Sequence, residues 1–366
     1  MTEGPSVTEG KDLMQAGNAM RSSLMRQEIE QQPEALRATI EALLPRRAEV
    51  AALAAGTKTV LFIARGTSDN AAVYGSYLVQ AQAGRLTSLA APSIATTYRA
   101  RVDLDGVLAV ALSQSGRTEE IVETLEWAAD CGARTMAITN GGDDSPLAEA
   151  AKLAFVTEAG IERAVPATKT FTTQLAALAV LGLALGAPLD PGELRAVPDA
   201  VAELLARTDG AELDSIVGEL ARVPGVVVSG RGLAYSAALE LAIKLKEACY
   251  LHAMGLSYAD LLHGPIAVVD ADTPAIVVAA DSGPTLPGSI DLARRVTGAG
   301  AAAFGIGGGA ELAAACTASL PGPLLPEWLA PIGLIVPGQL LTEALARRLG
   351  IDPDRPRGLT KVTQTD

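Results

Sequence analysis

Aromatic side chains are scarce in this chain, at 3% of 366 residues, and Ala and Gly stand in their place, which suits tight helix–sheet packing. Basic residues are also in short supply: the formal net charge is −13, with no cationic excess to neutralise phosphates in bulk. That argues against a nucleic-acid partner or an anionic membrane surface, so an anionic ligand must be captured locally, by helix ends and a few placed cations. The three cysteines, Cys131, Cys249 and Cys316, are far apart and form no CxxC pair. They read as reduced, buried thiols of a cytoplasmic protein, and no Cys/His spacing suggests a metal. No apolar h-region appears in the first thirty residues, and the longest apolar stretch, Leu175–Leu189, is broken by glycine and too short to span a bilayer. The dinucleotide fingerprint GxGxxG and the phosphate loop GxxxxGK[ST] are both missing, which weakens a nucleotide reading.

What the chain does have is alternation. Strand-like runs at Thr59–Ala64, Leu86–Ala91, Val107–Leu112 and Thr135–Thr139 alternate with helical segments at Asn70–Gln82 and Glu119–Cys131. A helical pattern interrupted at Pro33 precedes them, and a nearly all-apolar helical stretch, Ala164–Gly186, closes this half. Alternation of this kind implies βαβ units and a parallel sheet covered on both faces.

The pattern then repeats. "VVVSGRGLAYSAALELAIK" from Val226 mirrors "LFIARGTSDNAAVYGSYLV" from Leu61, with Arg65-Gly66 and Arg231-Gly232 166 positions apart. "SQSGRT" at Ser113 mirrors "ADSGPT" at Ala280, with Ser115 and Ser282 167 positions apart. Two matches in one register predict a duplicated α/β domain. The copies differ where it matters chemically. Thr67-Ser68 becomes Leu233-Ala234, and Ser113-Gln114 becomes Ala280-Asp281. A carboxylate at a helix N-terminus repels an anion, so the first copy is the anion binder.

Ser113, Gln114, Ser115 and Thr118 crowd the corner where a buried strand becomes a helix. One hydroxyl would suffice as a cap, so the cluster reads as neutral donors for an oxyanion at a helix N-terminus. Thr67-Ser68 follows another strand and could converge on the same point, at the carboxyl edge of the sheet. Glu240, Lys244 and Glu247 recur at i, i+4, i+7 on a helix expected over Ser236–Tyr250. Spacing alone fits a surface ion-pair stripe best, although the helix follows the Gly232 corner, where a ligand mouth belongs. Of the two histidines, His263 precedes the helix-ending Gly264-Pro265 and reads as a cap or as a proton carrier near neutral pH. The terminal "GIDPDRPRGLTKVTQTD" reads as a free tail or as a Pro-stiffened lid carrying Lys361.

"SQSGRTEE", "PATKTFTTQLAAL", "LELAIKLKEACYLHA", "LLHGP" and "DPDRPRGLTKVT", occurring in this order, resemble the double-SIS (sugar isomerase) family, and most of all the isomerase half of glucosamine-6-phosphate synthase. The resemblance implies two tandem SIS domains, each a three-layer αβα sandwich around a parallel, flavodoxin-like sheet. It divides the chain into a flexible N-terminus (1–23), a first domain with a helical entry segment (24–195), a second domain (196–348) and a tail closing the site (349–366). It implies phosphate binding by Thr67, Ser68, Ser113, Gln114, Ser115 and Thr118, and a backbone contact from Val165 to the sugar. By the same resemblance Glu247 moves a proton between C1 and C2, Lys244 assists, and His263, supplied by a neighbouring subunit of a homodimer, opens the ring. Lys361 contacts the sugar and is the candidate for a Schiff base with the open-chain ketose. No cofactor or metal is implied, because the nitrogen at C2 acts as electron sink.

The sequence departs from the synthase pattern twice. A glutaminase half with its N-terminal cysteine has no counterpart in Met1–Ser23, and Met254 stands where the pattern is acidic, whereas Asp260 keeps the charge. The expectation is therefore a deaminase and isomerase that converts glucosamine-6-phosphate to fructose-6-phosphate and ammonia. The alternatives are a galactosamine- or fructosamine-phosphate substrate, an aminotransferase fed by a separate glutaminase, and, least favoured, a non-catalytic sugar-phosphate sensor.

Overall fold

The computed structural model describes residues 22–208 and 210–361. The expectation of a flexible start therefore falls, apart from Ser22 and Ser23, outside the described residues, as does the reading of the first residues against a signal peptide. Two five-stranded, wholly parallel sheets form the frame. The first holds β1 (Thr59–Ile63), β2 (Leu86–Leu89), β3 (Val107–Ser113), β4 (Arg134–Thr139) and β5 (Leu153–Val156) in the order β2-β1-β3-β4-β5. The second holds β6 (Gly225–Gly230), β7 (His252–Ser257), β8 (Ala275–Ala279), β9 (Ala303–Gly307) and β10 (Ala318–Leu320) in the order β10-β9-β8-β6-β7. Read from the other edge, this is the same 2-1-3-4-5 winding, so the duplication seen in the sequence is a duplication of topology. The corner geometry repeats as well. Arg65 and Arg231 are extended at φ −141° and −146°, and Gly66 and Gly232 follow at φ +56° and +60°, a region that glycine enters without strain.

The expected strands β1 to β4 and the helices Gly66–Ala83, Glu119–Asp130 and Tyr235–Cys249 form within a few residues of their sequence patterns. β7 is an addition. Its "HAMGLS" is an edge strand on β6 with only part of its length buried, so it lacks the continuous apolar run that marks the inner strands. The helix expected over Ala164–Gly186 begins only at Lys169. Pro166 withholds an N–H, and the Glu162 carboxylate captures the N–H groups of Thr168 and Thr170, so the preceding residues form a bent, non-helical stretch.

That helix, Lys169–Ala184, is buried from Lys169 to Gly182 and lies in the main core, as befits a helix that is apolar on all faces from Leu175 onward. It packs on Gly66–Ala83 through reciprocal small residues. A Cβ on Gly75 would meet Leu178 Cδ2 at 2.8 Å, and one on Gly182 would meet Leu78 Cδ2 at 2.9 Å. Each leucine thus fills the gap left by the other helix's glycine. Tyr235–Cys249, from the second half, packs on Gly66–Ala83 and on the long helix Ala330–Arg348, which joins the halves into one core. The thiols differ from expectation: all three are free, but only Cys249 is buried. Cys131 and Cys316 terminate helices near the surface and are half-buried. Among the described residues, no helix is long and apolar enough to cross a membrane.

Candidate functional site

In an open parallel sheet the crossovers diverge at the switch point between the first and third strands, leaving a crevice at their carboxyl ends. Here that is the β1/β3 junction, and a cleft of about 350 Å³ opens there. Its lining includes Thr67 and Ser68 after β1, Ser113, Gln114, Ser115 and Thr118 after β3, and Val165 from the bend that precedes Lys169–Ala184. Lys244 and Glu247 enter from the second half, and Lys361 from the tail. Of the sequence-derived candidates, the structure brings all of these together and leaves out His263. That residue is exposed at the C-terminal end of the helix Tyr258–Leu262 and does not line the cleft of its own chain.

The hydroxyl cluster is not a capping device. Thr118 occupies the N-cap of Glu119–Asp130 yet its side chain makes no capping bond, lying instead 3.5 Å from Ser113 Oγ. Three hydroxyl oxygens each accept a bond from the protein: Ser68 from Gln174 Nε2 (3.0 Å), Ser113 from Gly116 N (3.2 Å) and Ser115 from Arg117 N (3.2 Å). A hydroxyl oriented by accepting keeps its own proton to donate, so the loop presents several O–H donors with no buried cation to balance. Gly116, at φ +64°, allows the loop to turn tightly. A Cβ there would lie 2.6 Å from Ser145 Oγ and 2.8 Å from Thr139 Oγ1. Thr67 behaves differently. Its hydroxyl donates to Glu240 Oε1 at 3.0 Å, so what it offers an anion is a backbone N–H in the first helical turn. At the rim, Arg65 is held by both oxygens of Glu120 at 3.0 Å.

The charged stripe is the main departure from what spacing suggested. Glu240 and Lys244 are not on the surface: their side chains are 0% and 1% exposed, and Glu247 is 25% exposed at the cleft. Lys244 Nζ lies 2.5 Å from Glu247 Oε2 and 3.4 Å from Glu240 Oε1. Asn70 Nδ2 donates to the second oxygen of Glu240 at 2.8 Å. Burial pushes the Glu240 carboxyl up to about 7. The charge of Glu247 adds to that, while Lys244, Asn70 and Thr67 pull the other way. Burial on its own would lower the Lys244 ammonium, but the two carboxylates outweigh it and raise the net value, so the amine stays protonated. An anionic carboxylate held by a fixed ammonium, beside a cluster of O–H donors, can grip an oxyanion at one end of a small molecule and move a proton at the other.

Sequence reasoning missed the supporting residues Glu162, Gln174 and Asn70, and read Glu240 as surface charge. Glu162 sits six positions before Thr168 and binds Thr168 N (2.9 Å) and Thr170 Oγ1 (2.6 Å). A carboxylate just ahead of a run of threonines was the available signal.

Fold and cleft define a two-domain α/β protein with a polar ligand crevice at one of its two switch points. The chain belongs to the SIS domain family, matching it over residues 55–184 and 219–315. It is similar to glutamine–fructose-6-phosphate aminotransferase (isomerizing) of Gloeobacter violaceus, 36% identical over 357 residues, 92% of this chain and 58% of that protein. The same enzyme of Methanothermobacter thermautotrophicus is 33% identical over 348 residues, 93% of this chain and 57% of that protein. The chain thus spans somewhat over half the length of these relatives. Among solved structures, the C-terminal domain of the Francisella tularensis glucosamine-fructose-6-phosphate aminotransferase superposes with a TM-score of 0.81 at 29% identity, covering 92% of this chain and 99% of that one. The glucosamine-6-phosphate deaminase of Thermotoga maritima has the same fold, with a TM-score of 0.75 at 23% identity over 94% of this chain and all of the other. The chain is thus homologous to the isomerase half of the aminotransferases, and this homology supports an enzyme of the phosphosugar-isomerase kind.

Proposed function

We propose that this protein interconverts the aldose and ketose forms of an amino-sugar 6-phosphate and, acting on glucosamine-6-phosphate, yields fructose-6-phosphate and ammonia. The observation that carries the reading is one cleft in which Lys244 and Glu247 face the O–H donors of Ser68, Ser113 and Ser115. The phosphate sits on the loops after β1 and β3 and contributes binding energy remote from the reacting carbons. His263, delivered from the second subunit of a homodimer, carries a proton to the ring oxygen. That role accords with its exposed place outside its own chain's cleft. Glu247 takes the proton from C2 of the open-chain amino-aldehyde, giving an enolamine, and returns it at C1, which leaves the imine at C2 of the ketose. Lys244 holds the carboxylate in place. Water adds at C2 of the resulting ketose imine, the C–N bond breaks, and ammonia leaves as fructose-6-phosphate forms.

The test is direct: purified protein and glucosamine-6-phosphate, without glutamine, with ammonia and fructose-6-phosphate followed together. Equimolar appearance is expected. Absence of ammonia release from glucosamine-6-phosphate, galactosamine-6-phosphate and fructosamine-6-phosphate alike refutes the deaminase reading. A second reading, transfer of nitrogen from glutamine, is favoured by the aminotransferase relatives. It requires that glucosamine-6-phosphate form from fructose-6-phosphate and glutamine only when a glutaminase is present.

A further inference from the structure

Residues 352–361 form a strap fastened at four places. The Asp354 carboxylate accepts the N–H groups of Leu24 (2.9 Å) and Met25 (2.8 Å), and its carbonyl accepts that of Val165 (2.9 Å). Arg357 N donates to the Tyr250 hydroxyl at 2.8 Å, while its guanidinium stacks 4.2 Å over the same ring. Tyr250 ends the helix that carries Lys244 and Glu247, in a left-handed conformation at φ +55°.

The fourth fastening differs in kind. Lys361 Nζ donates to Glu162 Oε2 and to the Ala164 carbonyl, each at 2.7 Å. The Glu162 side chain is wholly buried and is held from within by Thr168 N (2.9 Å), Thr170 N (3.1 Å) and Thr170 Oγ1 (2.6 Å). Buried Glu28 accepts the N–H groups of Arg163 and Ala164 and so sets the Ala164 carbonyl as well. The Glu162 half of this socket is built by residues other than the strap, whereas the peptide that carries the Ala164 carbonyl is also held by the strap, through Val165 N–H and the Asp354 carbonyl. The socket presents two fixed acceptors, one of them a full negative charge taken out of water, which is costly unless a cation answers it. An ammonium has three donors, and the socket uses two, leaving one for the cleft that Lys361 lines.

We infer that Glu162 is a positioning residue: its buried carboxylate, beside the Ala164 carbonyl set by Glu28, draws Lys361 down and shuts the strap over the cleft. The inference deepens the proposed function only in its kinetic arm. Strap closure itself does not depend on which sugar is turned over.

The first arm measures trypsin cleavage of the native protein at the Arg357–Gly358 bond, for wild type, Glu162→Gln and Lys361→Met. Removing one partner of a buried pair should free the strap, and cleavage should quicken at least about tenfold in both variants. Should Glu162→Gln fail to fold, Lys361→Met tests the same latch from the partly exposed side. Cleavage at the wild-type rate in a folded variant overturns the inference. The second arm compares kcat/KM on glucosamine-6-phosphate. Both single variants should lose activity, and the double variant should lose no more than the worse single, because Glu162 acts through Lys361. Losses that multiply overturn the inference. A wild type inactive on all three amino-sugar phosphates refutes the deaminase reading but leaves the proteolysis arm to decide the latch.

Discussion

Replacing Lys244 by Met keeps most of the stem volume and removes the one cation that faces both Glu240 and Glu247, at 3.4 and 2.5 Å. Breaking a buried ion pair by deleting one partner costs about 3–5 kcal/mol, because the survivor is left charged out of water. Here the cost depends on pH in a calculable direction. Burial first, and the Glu247 charge second, push the Glu240 carboxyl up to about 7, from 4.5 in an open chain. Between those values the folded protein holds a proton that the unfolded chain has released. This contribution to stability is complete below the lower value and is lost as the pH rises through the upper one. Without Lys244 the folded value moves higher still, and the loss extends into the alkaline range. Urea unfolding of wild type and Lys244→Met should therefore differ least near about pH 5, where Glu240 is protonated in both. The gap should widen by about 2 kcal/mol or more near about pH 8.5. Equal gaps at both values would mean that Glu240 does not feel Lys244 as a charge, and the buried triad would have to be abandoned.

Three further outcomes are expected. Glu247→Gln should lower kcat by about a hundredfold or more while the affinity for inorganic phosphate, read by calorimetry, stays within about twofold. Normal turnover in that variant ends the role given to this carboxylate. Gly116→Ala, which strains a left-handed turn and drives a methyl into Ser145, should raise KM about tenfold or more with kcat nearly kept, as measured by steady-state kinetics. If the proposed homodimer forms, His263→Asn and Glu247→Gln chains, each inactive alone, should regain about a quarter of wild-type activity when refolded together, since half of such dimers would be mixed and each would hold one intact site. No recovery counts against donation of His263 across an interface.

The frame of the fold was legible because parallel strands buried on both faces leave continuous apolar runs, as in Val107–Leu112, and because the corners Arg65-Gly66 and Arg231-Gly232 repeat in register. The hydroxyl cluster stood out for a related reason: one hydroxyl suffices for a cap, and this turn carries three beside an amide. The charged stripe at Glu240, Lys244 and Glu247 was harder. A period of 3.6 residues tells which side chains share a face, but not whether that face meets water or another helix. Tyr235–Cys249 is buried on nearly all sides, and its Glu240 points at Thr67 and Asn70 from the other half of the chain. The socket for Lys361 lay beyond local pattern altogether, since Glu28, Glu162 and Lys361 meet only through tertiary packing.

The second corner carries a lesson of its own. Leu233 and Ala234 stand where Thr67 and Ser68 stand in the first copy; both are buried, and their turn packs against the helices Gly66–Ala83 and Ala330–Arg348. At this second corner, hydrocarbon stands where the first copy has hydroxyls. That hydrocarbon welds one half to the other at the very point where the helix bearing Lys244 and Glu247 begins. The distance between the Lys244–Glu247 pair and the hydroxyl loops after β1 and β3 therefore depends on an apolar joint, and a change there that touches neither would still alter the cleft.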